Sequence, residues 1–154
     1  MPASDRPITQ QDARLEARQG RQQILFHHVP NDSRFTLTLE PKGAVRAFGV
    51  RLRTSDGEKD GTEFRLVPKT ARASYSHSTH SGSGGPLVGG PSIGGLRDLD
   101  KAVRLDIICR RDVVDVEVDG RHTLANHFWN PSGDKLGVWV EEGALLVRDV
   151  AIWP

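Results

Sequence analysis

Residues 110–122 read RRDVVDVEVDGRH. Val114, Val116 and Val118 alternate with Asp115, Glu117 and Asp119. A period of two sends the two sets to opposite sides of an extended strand. Valine suits a pleated, half-buried surface. Asp119-Gly120 follows as a hairpin turn, because glycine accepts positive φ at little steric cost. The stretch is a strand with a dry face, a wet face and a tight return.

The same grammar extends in both directions. RFTLTLE puts Phe35, Leu37 and Leu39 on one face and Thr36 and Thr38 on the other. AVRAFGVRLR continues with Phe48, Val50 and Leu52 against Arg51 and Arg53, and GTEFRLV adds Phe64 and Leu66. VRLDIIC aligns Val103, Leu105, Ile107 and Cys109. ARASYSH is a more polar strand, and RHTLANHFW returns from the Asp119-Gly120 turn. KLGVWVE and GALLVRDVAIW are expected to form a last pair, turning at Glu142-Gly143. Many short alternating strands with turn signals between them predict an all-β, two-sheet antiparallel β-sandwich. Each sheet then has one buried and one wet face.

Two segments stand outside this pattern. Residues 1–22 are polar, and TQQDARLEARQG is expected to be a linker or short helix, with Thr9 as N-cap and Gly20 as stop. The sandwich is placed at 23–154. Within it, residues 78–96, STHSGSGGPLVGGPSIGGL, read as a long Gly/Ser-rich loop. Its glycines lack the following Lys-Ser/Thr of a phosphate loop.

The 154 residues suffice for one domain with a real core. A net charge of +1, from 21 basic and 20 acidic side chains, gives no broad electrostatic case for nucleic acid or an anionic membrane. Arg104, Arg110 and Arg111 are the one local candidate for an anion site. A single cysteine, Cys109, excludes an intrachain disulfide, and its apolar neighbours predict a buried, inert thiol. Residues 1–22 lack the apolar segment of a secretory signal, so the chain as it stands reads as cytoplasmic.

Candidate chemistry is sparse. Asp115 and Glu117 share a strand face with Cα atoms roughly 7 Å apart, a spacing that could suit a glycosidase pair. Arg110, Arg111, Asp112 and Asp119 crowd them, and solvated or salt-bridged strand acids are the plainer outcome. His77 and His80 have no third ligand nearby, and His122 and His127 face opposite sides of a strand, so no metal or other cofactor is expected. No Gly-x-Ser-x-Gly elbow frames a nucleophilic serine. The aromatics are more suggestive. Trp129, Trp139 and Trp153 all lie in the last third, and an indole offers an apolar face together with a polar edge. Val138 and Val140 are expected in the core, which leaves Trp139 for a second surface. Trp153 is expected to close the core or meet a neighbouring domain.

Over about residues 34–154, and most strongly from Val103 onward, the chain resembles the C-terminal β-sandwich of glycoside hydrolase family 32, the family of invertases, inulinases and levanases. The family shows Asp-Arg-Ser, then Val-Glu-Val-Phe-Val-Asn-Gly, and later a Gly-x-x-x-Glu-Gly-Gly run closing on Trp-Pro. Here Arg111 matches the motif arginine, Asp115 the glutamate, Asp119-Gly120 the turn and Trp153-Pro154 the ending. Arg110 replaces the usual aspartate and Glu117 the usual aromatic. The resemblance implies a lectin-like jelly roll. It places the family's fructoside hydrolysis in an N-terminal five-bladed propeller whose motifs this sequence lacks. Related sandwiches bind fructans. The implied function is therefore a noncatalytic module that binds a fructan-type carbohydrate or supports a catalytic propeller, secreted if it is part of a larger hydrolase. A domain serving only to pack on a hydrolase partner, and a stand-alone glycosidase using Asp115 and Glu117, remain open. The residues expected to hold sugar are Asp115, Glu117, Arg121, His127, Trp129 and Trp139.

Overall fold

The computed structural model describes residues 6–26, 29–55, 61–78, 87–128 and 133–154. Among the described residues eleven strands follow one another: β1 (Ile8–Thr9), β2 (Ala13–Phe26), β3 (Ser33–Lys42), β4 (Ala47–Thr54), β5 (Thr62–Val67), β6 (Arg72–Ser78), β7 (Leu87–Ile93), β8 (Val103–Arg110), β9 (Val113–Val118), β10 (His122–His127) and β11 (Lys135–Trp153). Every pairing is antiparallel, in the order β10-β9-β8-β3-β11-β4-β5-β6-β7, with β1 and β2 also on β11.

The long strand β11 makes the two-sheet form. Its residues 135–141 pair with β4 on one side, and 144–153 pair with β3 on that same side. Its other side is lined by β2, with 21–26 against the first half and 13–17 against the start of the second, and by β1 at 151–152. The first sheet is therefore β10-β9-β8-β3 with the second half of β11. The second is β7-β6-β5-β4 with the first half. Both β11 and β2 bend where the register shifts between Glu141 and Gly143. Glu142 sits there at φ 46° and Gly20 opposite at φ 70°, as a bulge that turns a strand between sheets requires. Glu142-Gly143 is thus a bulge inside one strand and not the expected hairpin turn. Both share the same positive-φ requirement, so their local signatures coincide.

The core fills the space between the sheets. The first contributes Leu37, Leu105, Ile107, Val114 and Val116, the second Phe48, Val50, Phe64, Leu66 and Val138, all at most 1% exposed. From β6, next to the edge strand β7, Tyr75 donates its hydroxyl to the Leu124 carbonyl of the other edge strand, β10, at 2.6 Å. This satisfies a buried phenol and draws the sandwich nearly closed. Burial raises the Tyr75 pKa well above its ordinary value.

Two further expectations change. Residues 13–22 belong to strand β2 where a short helix or linker was expected: Leu15 and Ala17 enter the core at period two. Residues 87–93 within the Gly/Ser-rich segment form β7. It lies at the end of the strand order, where Pro91, lacking an N–H, and the glycines are tolerated. Residues 79–86 lie outside the described residues. The Asp119-Gly120 turn forms as read, with φ of 52° and 67° and the Arg121 N–H donating to the Val118 carbonyl at 3.0 Å. Cys109 is buried, which pushes its thiol up to about 12.

Candidate functional site

The outer face of the second sheet holds an assembly of charge around one indole. On β4, β5 and β11 the core takes Phe48, Val50, Phe64 and Val138, so alternation sends Gly49, Arg51, Glu63, Arg65, Trp139 and Glu141 outward. Register brings them together. Gln23, Trp139, Gly49 and Arg65 form one cross-strand row. Arg51 pairs with Glu63 in a neighbouring row, and Arg21 with Glu141 in another.

Trp139 is fully buried, although it points away from Val138 and Val140. The expected second surface for it is real, but the indole is not an open platform. The Arg21 guanidinium stacks 3.9 Å from its ring centroid, and Arg65 lies 5.4 Å away. Gly49 gives the ring its bed. A Cβ there would stand 3.3 Å from the indole and 1.9 Å from the Phe64 carbonyl oxygen.

Around the indole, carboxylates and guanidiniums interlock. Glu63, 1% exposed, accepts from Arg21 at 2.5 Å and from Arg51 at 3.1 Å, with Arg65 3.9 Å from its second oxygen. Glu141 accepts from Arg21 at 2.7 Å and from both terminal nitrogens of Arg65 at 3.1 and 2.8 Å. Burial alone would raise the Glu141 pKa. The hydrogen bonds and charges of Arg65 and Arg21 outweigh it, and the carboxyl sits below its ordinary value. Among the described residues, Trp139 Nε1, Glu63 Oε2 and Ser76 Oγ of this face are buried without a hydrogen-bond partner. Beside the network opens a cleft of about 260 Å³ lined by Gly20, Arg21, Arg46, Arg65, Glu141 and Glu142.

The expected sugar residues do not form one site. Asp115 and Glu117 stand on the outer face of the first sheet, half-buried and exposed respectively, while Val114, Val116 and Val118 enter the core. His127 shares that face and lies 3.7 Å from Asp112. Arg121 lies at the turn end, in a cleft of about 540 Å³ that also takes in Arg97, Lys101 and His122. Trp139 is on the opposite side of the sandwich, and Trp129 lies outside the described residues. The arginine trio does not converge either. Arg104 and Arg110 are six residues apart on one strand, roughly 20 Å, and the Arg111 N–H is held by Asp32 at 2.7 Å.

Arg21, Arg51, Glu63, Arg65 and Glu141 escaped the sequence reading. Each stands at a wet position of an alternating strand, and nothing local distinguishes it from a solvated charge. The one available signal was parity: Trp139 and Glu141 share a face, as do Glu63 and Arg65.

No family model and no curated protein matches the chain. Solved structures do. The carbohydrate-binding module CBM66 from Bacillus subtilis superposes with a TM-score of 0.74 at 14% identity, over 96% of this chain and 95% of that one. A galectin from Caenorhabditis elegans gives 0.66 at 20%, over 92% and 96%. The fructosyltransferase from A. japonicus gives 0.72 at 15%, over 99% of this chain and 26% of that one. This chain therefore spans about a quarter of that enzyme. The fold is the lectin-like β-sandwich of these proteins, including the C-terminal modules of family 32 enzymes.

Proposed function

We propose that the chain is a noncatalytic carbohydrate-binding module whose ligand is a fructan-type glycan, and that it serves beside a fructoside-hydrolase catalytic domain, secreted with it. The observation that carries this reading is the interlocked network on the second sheet. Fixed guanidinium forks and carboxylates present planar donors and acceptors at set spacings, as recognition of paired sugar hydroxyls needs. Because Arg21 and Arg65 are held by Glu63 and Glu141, little side-chain freedom remains to be lost on binding. Glu141 and the outer edges of Arg21 and Arg65, part-exposed at the rim of the assembly, are the groups a sugar can reach. The fold is shared with a module described as carbohydrate-binding and with a toad ovary galectin described in complex with thio-digalactose, which supports sugar as the ligand class. Its likeness to a fructosyltransferase and an exo-inulinase supports fructan.

A domain that serves only to pack on a hydrolase fits less well. A dry docking face needs contiguous apolar area. Among the described residues the exposed large hydrophobics are Ile8 and Ile108, on β1 and β8, which β11 and β3 separate.

The direct test is isothermal titration with fructo-oligosaccharides, with a β-galactoside alongside. Wild type should bind a fructan, and Arg65→Ala should weaken it at least tenfold while the fold persists by circular dichroism. Heat with the galactoside alone would replace the fructan assignment, and no heat with any glycan would remove the carbohydrate reading.

A further inference from the structure

The outer face of the first sheet carries a second indole in a different setting. Trp153 pairs with Arg34 across β11 and β3, Arg34 with Ile108, and Ile108 with Asp115. One row perpendicular to the strands thus reads Trp153, Arg34, Ile108, Asp115. In the adjacent row Asp106 pairs with Glu117. Trp153 is half-exposed and Ile108 is 44% exposed, so both apolar surfaces are reachable. Arg34 lies 5.4 Å from the Trp153 ring centroid and is clamped by Asp106 through two bonds of 2.9 and 2.6 Å. A cleft of about 460 Å³ opens here, lined by Asp32, Arg34, Ile108, Arg110, Trp153 and Pro154 among others.

We infer that this face is a second glycan-binding surface, so that one chain holds two stretches of the same polysaccharide on opposite sides of the sandwich. The inference rests on the carbohydrate reading above but concerns a different set of residues. An exposed indole beside a fixed guanidinium–carboxylate pair offers an apolar stacking plane and oriented hydrogen bonds side by side. The single isoleucine between them is too little apolar area for a protein partner. The row crosses four strands, about 14 Å at ordinary strand spacing, and so suits an extended chain more than an isolated sugar. Asp115 and Glu117, expected from the sequence to contact sugar, lie on this surface with Trp153 as their aromatic neighbour in place of Trp139. Two such surfaces make the module bivalent toward a polymer.

Titration with a fructotriose should give two binding events per chain, and inulin or levan polymer should turn turbid as chains cross-link it. Arg34→Ala and Ile108→Asp, both at exposed positions, should each remove one event, abolish turbidity and cut retention on immobilised polymer roughly 10- to 100-fold. Trp153→Ala should do the same where its thermal midpoint shows that it folds. Arg65→Ala should remove the other event and leave this one. A single event per chain that Arg65→Ala eliminates and Arg34→Ala leaves intact overturns the second surface and spares the first reading. No binding of any glycan by wild type removes both.

Discussion

The two outer faces of the sandwich use the same residue types in opposite ways. On the second sheet, charges satisfy one another: Glu63 is closed in by three guanidiniums, Trp139 is buried under Arg21, and only the rim of the network faces the 260 Å³ cleft. On the first sheet, next to Trp153, Arg34 is held by Asp106, and Asp115, Glu117, Ile108 and Trp153 stand around that pair with open sides. Burial makes the difference. An enclosed network is rigid and contributes to holding its sheet, so it couples recognition to stability. An open row binds with less preparation and is nearly independent of the fold.

That contrast can be broken most sharply at Glu63. Glu63→Ala leaves three arginines with one carboxylate fewer in a buried setting and should cost about 3–5 kcal/mol, read as a lower denaturant midpoint. If it costs no more than a surface substitution, the network is solvated and the contrast is false. Gly49→Ala comes next. Its new methyl group would press on the Phe64 carbonyl and the indole, for a loss of about 1–3 kcal/mol in thermal unfolding, together with a change in the emission of the displaced Trp139.

A smaller effect is read by pH. Glu141 has a folded-state pKa below its ordinary value of 4.5. Its contribution is therefore present above that value and is lost as pH falls through the lower, folded one. Glu141→Gln should lower stability at neutral pH by on the order of 1 kcal/mol after solvent screening. It should also flatten the decline of the denaturant midpoint as the pH falls below about 5. Asp106 follows the same sign, because the hydrogen bond from Arg34 holds its carboxyl low. The smallest effect is expected at Asp115→Asn with Glu117→Gln. Stability should stay within about 0.5 kcal/mol of wild type, since both lie on the wet side of β9.

The strands announced themselves in the sequence because alternation is a local property. Val114, Val116 and Val118 entered the core as the period required, and the Asp119-Gly120 turn formed where glycine allowed it. Residues 13–22 did not announce themselves. Alanine, leucine, glutamate, arginine and glutamine favour helix, and only pairing with β11, more than a hundred residues later, makes this segment a strand. The cluster at Trp139 was hidden for the same reason. Arg21, Gly49, Glu63, Arg65 and Glu141 meet through register, and register between distant strands leaves no trace in a single sequence.

The long strand β11 has a consequence for how the domain comes into being. It is the last strand in chain order, yet β1, β2, β3 and β4 all pair with it. During synthesis those four strands wait without their common partner, and neither sheet has a centre until residue 153 has left the ribosome. Folding of this domain is therefore a late, nearly single event dominated by contacts distant in sequence, with the slow rate that such topology imposes. Until then the waiting strands expose unpaired backbone N–H and C=O groups, the template most prone to pairing with other chains.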